Sequence, residues 1–391
     1  MLWLFMAFAL NVRVNYFFAH FLTVVDMFQP YLFFITFVFS GFLSSNVSAE
    51  NGNSTWKPEA VDYDWVQLTS GEWLKGEIKS MYNESLEFDS DKLDLLNIDW
   101  EDVQYLKSHG SCHIHFEKYG AIIGVLKISD TKIIISNADE VKTFERKQLV
   151  SFTPAGEHEI DLWNIKFGLG LNFSRGNTEQ IDYTAKFSAK RRTAESRFLL
   201  DYIGNISKTN AVSGTLEETI NNHRLSSSLD KYVTREFFYT PIFAEYFRDP
   251  FQNIDQRITL GAGLGYSLYD TSRFEWNISA GPAFLSTRYA SVQPGGNSSV
   301  TTGALAAGTD IDLALSKTLD FIYKYSIQVS KKEAGGYTHY MIATLESEIT
   351  GYLDLDVSLV WNRISQPTVD GEGNLPKPDD YRLMLGVSYS Y

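Results

Sequence analysis

Asp380-Tyr381-Arg382-Leu383-Met384-Leu385-Gly386-Val387-Ser388-Tyr389-Ser390-Tyr391 ends the chain. In an extended strand successive side chains point to opposite faces. Tyr381, Leu383, Leu385, Val387, Tyr389 and Tyr391 then share one face, and Arg382, Met384, Gly386, Ser388 and Ser390 the other. Terminal residues of a domain usually fray. A patterned, aromatic-ended terminal strand therefore predicts a strand locked into a closed sheet.

Working upstream, the same period-2 alternation recurs in segments of about 10 to 15 residues, the size a tilted membrane strand needs. Trp163, Ile165, Phe167, Leu169 and Leu171 alternate with Asn164, Lys166, Gly168 and Gly170, and Leu353, Leu355, Val357, Leu359 and Trp361 with Asp354, Asp356, Ser358 and Asn362. About twelve strands fit between Asp161 and Tyr391. The fourth and fifth, Thr219–Val233 and Phe237–Arg248, are the least regular. Connections after even strands are tight, at Arg192–Glu195, Thr234–Glu236, Asp270–Ser272, Ser316–Lys317 and Thr350–Gly351. Most connections after odd strands are longer and polar, such as Lys208–Glu218, Asp249–Asp255, Ser291–Ser299 and Gln366–Asp379. That rhythm is the outer-membrane pattern, and an even strand count places both mature termini in the periplasm. Lys166, Asp201, Arg257, Glu275, Asp312, Lys324, Asp356 and Arg382 fall on the polar face, where a lumen can hydrate or pair them. Trp163, Trp276 and Trp361 are candidates for the interfacial aromatic girdles. The expected fold class is all-β, a C-terminal antiparallel transmembrane barrel over 158–391 behind a small periplasmic β domain. A periplasmic β-sandwich or lipocalin-like barrel is the soluble alternative, since any half-buried sheet alternates.

Composition agrees with either. The 391 residues include 15% aromatic and 44% hydrophobic residues, at a mean hydropathy of −0.17, too polar for a helical membrane protein. The net charge of −14 argues against nucleic acid as a partner, because phosphates demand a basic face. A single cysteine, Cys112, rules out an intramolecular disulfide framework.

Ahead of the barrel, Met1–Leu10 and Tyr31–Leu43 are apolar runs, the second of signal-peptide length and followed by the small-x-small triplet Val47-Ser48-Ala49. Residues 1–49 therefore read as a signal peptide and 50–60 as a linker, with the mature chain starting near Glu50. A start at Met27, or retention of Met1–Leu10 as an anchor, would explain the unusual length. Residues 61–155 read as a β domain built from two SH3/Sm-like repeats offset by about 43 to 49 residues. Each copy has a turn glycine, Gly71 or Gly120, and a strand-two glycine, Gly76 or Gly124, where a bend would fold the sheet over itself. His109, Cys112, His113 and His115 are the one cluster with metal-ligand chemistry. On a strand His113 and His115 share a face and Cys112 the other, so one ion could take only two of them. They read as solvated strand histidines beside a small buried thiol, with a metal site as the alternative, and no cofactor is expected.

Leu169-Gly170-Leu171-Asn172-Phe173-Ser174-Arg175-Gly176-Asn177-Thr178, with Asp249-Pro250-Phe251-Gln252-Asn253-Ile254-Asp255-Gln256-Arg257 and Gly261-Ala262-Gly263-Leu264-Gly265-Tyr266, resembles the YdiY-like outer-membrane family, a domain of unknown function (DUF481). The resemblance covers roughly Leu162–Tyr391 and implies no catalytic, metal or cofactor residues. The closing strand is also similar to those of outer-membrane barrels, which end on an aromatic residue. That likeness implies outer-membrane lipid and the barrel-assembly machinery as partners, the latter through the closing strand. An outer-membrane lipid hydrolase would need a Ser/His pair. His223 and His339 lie in strands, but Ser226, three residues after His223, points to the opposite face, and no Gly-x-Ser-x-Gly elbow occurs. A non-enzymatic barrel is expected. It would be a narrow channel, or a structural or stress-related envelope protein whose periplasmic repeats bind peptidoglycan or a protein partner.

Overall fold

The computed structural model describes residues 62–391 except 83, 118, 130, 138–139, 156–158, 175–179, 211–215, 272, 317 and 391. The signal-peptide and linker readings, and Arg175–Thr178 of the family motif, lie outside the described residues. Residues 58–391 form one compact unit.

Its first part is a single sheet of nine strands. These are β1 (Asp64–Leu68), β2 (Trp73–Tyr82), β3 (Ser85–Ser90), β4 (Asp94–Asp99), β5 (Val103–Phe116), β6 (Gly120–Ile128), β7 (Lys132–Ser136), β8 (Val141–Glu145) and β9 (Leu149–Pro154). The order is β4-β3-β2-β1-β5-β6-β7-β8, with β9 pairing β2 and β5. Each repeat runs four strands, then one turn of 3-10 helix, Trp100–Asp102 or Arg146–Gln148, then a fifth strand that returns to pair the first. The two copies are not separate half-barrels. β5 closes the first copy against β1 through residues 103–107 and opens the second against β9 through residues 112–116. The break between them is a bulge between Lys107 and Ser111, bridged by Ser108, whose hydroxyl donates to the Gly110 carbonyl and accepts the Leu126 amide. One core serves both copies and includes Ile78, Leu86, Phe88, Ile114, Phe116 and Phe152. The strand-two glycines are needed for close packing. A Cβ on Gly76 would stand 2.0 Å from the Asp89 carbonyl oxygen, and one on Gly124 2.6 Å from the Ile135 side chain. Gly71 and Gly120 take positive φ at the turns, which costs glycine nothing.

The second part is a closed barrel of twelve antiparallel strands: β10 (Trp163–Ser174), β11 (Gln180–Arg192), β12 (Ser196–Asn210), β13 (Leu216–Tyr232), β14 (Phe237–Asp249), β15 (Ile254–Asp270), β16 (Phe274–Tyr289), β17 (Ser299–Ser316), β18 (Leu319–Val329), β19 (Tyr337–Thr350), β20 (Leu353–Ile364) and β21 (Asp379–Ser390). Lys166 opposite Ser390, through Leu169 opposite Val387, seals β10 to β21. The expected closing strand thus pairs with the expected first one. Tight turns follow β11, β13, β15, β17 and β19 and form one rim, while the other rim carries the remaining connections. Several of those are shorter than expected. β12 and β13 extend through Asn210 and from Leu216, and the β14–β15 link is a 3-10 turn, Pro250–Gln252, followed by Asn253.

Polarity is inverted relative to a water-soluble sheet. On β21, Leu383 and Leu385 are 70% and 63% exposed, while on neighbouring β20 Asp354, Asp356 and Ser358 are buried. Apolar side chains outside and charges inside satisfy a barrel whose outer solvent is hydrocarbon. Aromatics flank that belt. Near the long-loop rim Tyr325, His339, Trp361 and Tyr381 stack across four strands, and near the short-turn rim stand Tyr269, Phe274 and Trp276, Trp163 with Phe198, and Tyr352 with Tyr389. Tyr381 to Tyr389 spans roughly 20 Å of membrane depth at the usual rise and tilt. This is an outer-membrane β-barrel fold.

Candidate functional site

The lumen is where the strands concentrate chemistry, and side chains bridge it at four levels. Near the short-turn rim Arg197 on β12 donates from Nε and Nη2 to Asp230 on β13 (3.1 and 3.0 Å) and from Nη1 to Glu275 on β16 (2.6 Å). At mid-height Lys324 on β18 reaches Asp201 on β12 at 2.7 Å, half the barrel's circumference away. Higher up Arg224 on β13 donates to Glu245 on β14 (2.6 Å) and to Asn362 on β20 (2.9 Å), its guanidinium lying 4.1 Å over the Tyr340 ring on β19. Nearest the long-loop rim Arg382 on β21 stands 3.6 Å from Asp249 on β14 and also pairs with Asp380. Lys166 pairs with Glu346, and Lys186 donates to Ser358 at 2.6 Å. Every charge expected on the polar face is on it.

The opposite wall is made of small residues, and this leaves room for the struts. A Cβ on Gly261 would meet the Phe243 ring at 2.4 Å, and one on Gly265 the Phe238 ring at 2.2 Å. Between this wall and the charged one lies a cavity of about 230 Å³, bordered by Ser226, Gly263, Gly281, Gly308 and Asp310. Over the long-loop mouth the β20–β21 loop crosses to the far side. Asn253 Nδ2 donates to the Ser291 carbonyl (3.0 Å) and the Thr368 carbonyl (3.2 Å), and the Gly371 amide donates to Ser291 Oγ (2.9 Å).

At the short-turn mouth the N-terminal domain rests on the barrel's turns. His115 Nδ1 and Ser151 Oγ both donate to the Ala194 carbonyl, at 3.1 and 2.6 Å. Arg235 Nη1 donates to Glu84 (2.5 Å) and Nη2 to the Leu149 carbonyl (2.8 Å). The Arg192 guanidinium lies 4.1 Å over the Tyr82 ring. Burial lowers the His115 imidazole from its ordinary range, against smaller opposing effects of the Ala194 carbonyl and Glu195, and burial raises the Tyr82 phenol.

The sequence profile of the family described as "Protein of unknown function, DUF481" matches residues 167–391. The chain belongs to the DUF481 family. Among solved structures, this DUF481 chain is similar to the NanC porin in its rhombohedral crystal form at 10% identity and a TM-score of 0.34, over 58% of this chain and 98% of that one. It is similar to the translocator domain of the autotransporter NalP from Neisseria meningitidis at 10% identity and a TM-score of 0.31, over 59% and 88%. It is also similar to the outer-membrane channel DcaP of Acinetobacter baumannii at 11% identity and a TM-score of 0.28, over 84% and 94%. A search of curated protein sequences finds no match.

Among the described residues, His223 and His339 hydrogen-bond to neighbouring side chains of the barrel. His223 is on the outer face, its Nδ1 accepting from the Tyr202 hydroxyl (2.8 Å) and its Nε2 donating to Asn221 Oδ1 (3.0 Å), while Ser226 borders the lumen cavity. The structure therefore does not bring these two together. His339 Nδ1 meets the Tyr325 hydroxyl at 2.9 Å. Of the His109–His115 cluster, Cys112 is in the core, His113 is exposed, and His115 is buried rather than solvated, because the barrel turn covers it. The His109 amide donates to Asp64 Oδ1 (2.7 Å), whose Oδ2 accepts the Ile78 amide (2.7 Å). Asp64 thereby ties β2 to the β5 bulge, at the expense of a carboxyl that burial raises above its usual range. Among the described residues no three His, Cys, Asp or Glu side chains are placed to share a metal ion. The His115 contact was not readable from the sequence, since only the packing of one domain on the other creates it.

Proposed function

We propose that the barrel is a sealed outer-membrane anchor that holds the N-terminal β domain on its periplasmic rim, with both mature termini on that side. The observation that carries this reading is the set of struts joining strands four to six apart around the lumen, above all Arg197–Glu275 and Asp201–Lys324. A side chain held at both ends cannot move aside for a solute without exposing unpaired buried charge, which is costly. The β20–β21 loop tied across the other mouth adds to the case. The periplasmic domain is then the working part, binding peptidoglycan or a protein partner, and the closing strand is what the barrel-assembly machinery engages. The barrel itself is assigned no hydrolytic chemistry, and refolded protein is expected to release no fatty acid from phospholipid.

Single-channel recording of the full chain in a planar bilayer tests this. Silence across the voltage range is expected, and steady unitary conductance would overturn the anchor reading. Such conductance would favour the narrow channel, for which the 230 Å³ lumen cavity is the supporting observation.

A further inference from the structure

We propose that a basic cleft between the N-terminal domain and the barrel's short-turn rim holds the phosphate of an anionic phospholipid headgroup. The cleft has a volume of about 530 Å³ and is bordered by Trp100, Lys132, Glu145, Arg146 and Lys147 from the domain and Arg235 from the barrel. Its floor is Trp100, which is buried. The Arg146 guanidinium lies 4.3 Å over the Trp100 ring, and its Nη2 donates to the Trp100 carbonyl at 2.7 Å. Arg235 is fixed just as firmly by Glu84 and the Leu149 carbonyl. Two guanidiniums are thus oriented before any ligand arrives, which reduces the entropy lost on binding. Lys132 and Lys147 stand exposed beside them.

Of the residues bordering the cleft four are cations and one, Glu145, is a carboxylate, 2.8 Å from Lys147, while Glu84 behind Arg235 and Asp99 and Glu101 beside Trp100 and Arg146 lie in the neighbouring pocket. The surplus is positive in a chain whose net charge is −14. Depth identifies the anion as a lipid's. Arg235 lies in the turn between β13 and β14, beside Val233, which is exposed. The outward tyrosines next to that turn are Tyr239 and Tyr266, and the Tyr266 hydroxyl donates to Glu236 of the same turn at 2.7 Å. Interfacial tyrosines sit at headgroup level, so the cleft opens beside phosphates that the leaflet supplies at high local concentration. Basic side chains near such a surface each strengthen attraction to anionic lipid several-fold.

Native mass spectrometry of the full chain, titrated with phosphatidylglycerol or phosphatidylcholine, tests the assignment. Lys132→Gln/Lys147→Gln removes the two exposed cations and leaves both anchored arginines, so the fold is retained. Lys92→Gln/Lys377→Gln removes two exposed lysines outside the cleft. The cleft variant is expected to lose about tenfold in phosphatidylglycerol affinity, the control less than twofold, and phosphatidylcholine retention is expected to be unchanged in both. Equal losses in the two variants would overturn the proposal. So would inorganic phosphate displacing phosphatidylglycerol at matched concentration, which would mark a free-anion site. Conductance by the barrel would sink the anchor reading and leave this lipid titration unaffected, so the two proposals fail separately.

Discussion

Arg197→Met is the sharpest perturbation of the lumen. The guanidinium and its partners Asp230 and Glu275 are at most 15% exposed, so removing it leaves Asp230 without its cation and Glu275 with Lys190 alone, at 3.9 Å. Breaking a buried pair costs about 3–5 kcal/mol. Here the lower end applies, because Asp230 keeps the Thr240 hydroxyl at 2.7 Å and Glu275 keeps Asn277 Nδ2 at 2.7 Å. A loss of about 3 kcal/mol is roughly a hundredfold in the unfolding equilibrium. Urea titration of the barrel folded into liposomes measures it. Adding Asp230→Asn to Arg197→Met removes the carboxylate charge left without a cation, while Glu275 keeps Lys190 at 3.9 Å, and should recover most of the loss. The same double variant should stay silent in the bilayer, because Asp201–Lys324 and Arg224–Asn362 still bridge the lumen at other levels. A cost for Arg197→Met below about 1 kcal/mol, the value of a solvated surface pair, would refute the claim that this level of the lumen is closed.

Gly76→Ala places a methyl against the Asp89 carbonyl and should destabilise the N-terminal domain by about 2–3 kcal/mol, seen as a lowered thermal midpoint; Gly124→Ala, facing the Ile135 side chain at 2.6 Å and the Ser136 carbonyl oxygen at 2.9 Å against 2.0 Å for the backbone contact of Gly76, should cost less. Leu385→Arg puts a charge on the lipid face at mid-strand and should cost about 2–4 kcal/mol of barrel stability, read from the same urea titration. His115 has a lowered pKa when docked, so the undocked imidazole takes up its proton first as pH falls through the ordinary value near 6.5. Docking should therefore be intact above that pH and weaken as pH drops toward the docked pKa, measured as faster amide exchange in residues 149–154 and 193–196, and His115→Gln should flatten this dependence.

What could be read from the sequence, and what could not, follows from how far apart the cause and its residues lie. Alternation on β10, β20 and β21 is local and survives in the sequence. On β14 it does not, because a bulge between Thr240 and Phe243 around Pro241 shifts the phase, turning both Phe238 and Phe243 inward over glycines. The same extra residue shows in the pairing with β13, where Leu229 and Lys231 face Ile242 and Tyr239. β12 runs on to Asn210 and β13 starts at Leu216, and these ends carry polar residues such as Lys208 and Glu218 without apolar alternation, so they read as loop. In the N-terminal domain the glycine spacing exposed the duplication. The shared strand stayed hidden because the Ser108–Gly110 bulge resembles a turn. The lumen struts could not be read at all, since which charge meets which depends on the register carried around a closed circuit.

The struts and the glycine wall explain each other. A twelve-stranded barrel is wider than one filled by ordinary side chains, so two charged walls of equal depth would meet only through water. β15–β17 place Gly261, Gly263, Gly281 and Gly308 on one side, and Phe238 and Phe243 pack down onto two neighbouring positions. The long cations of β12, β13 and β18 can then reach partners across the lumen. Replacing that wall with bulky residues would not simply fill a void; it would displace the arginines from their carboxylates and convert paired charge into unpaired charge. Small residues on β15–β17 are therefore as necessary to the paired charges of the lumen as Arg197 itself.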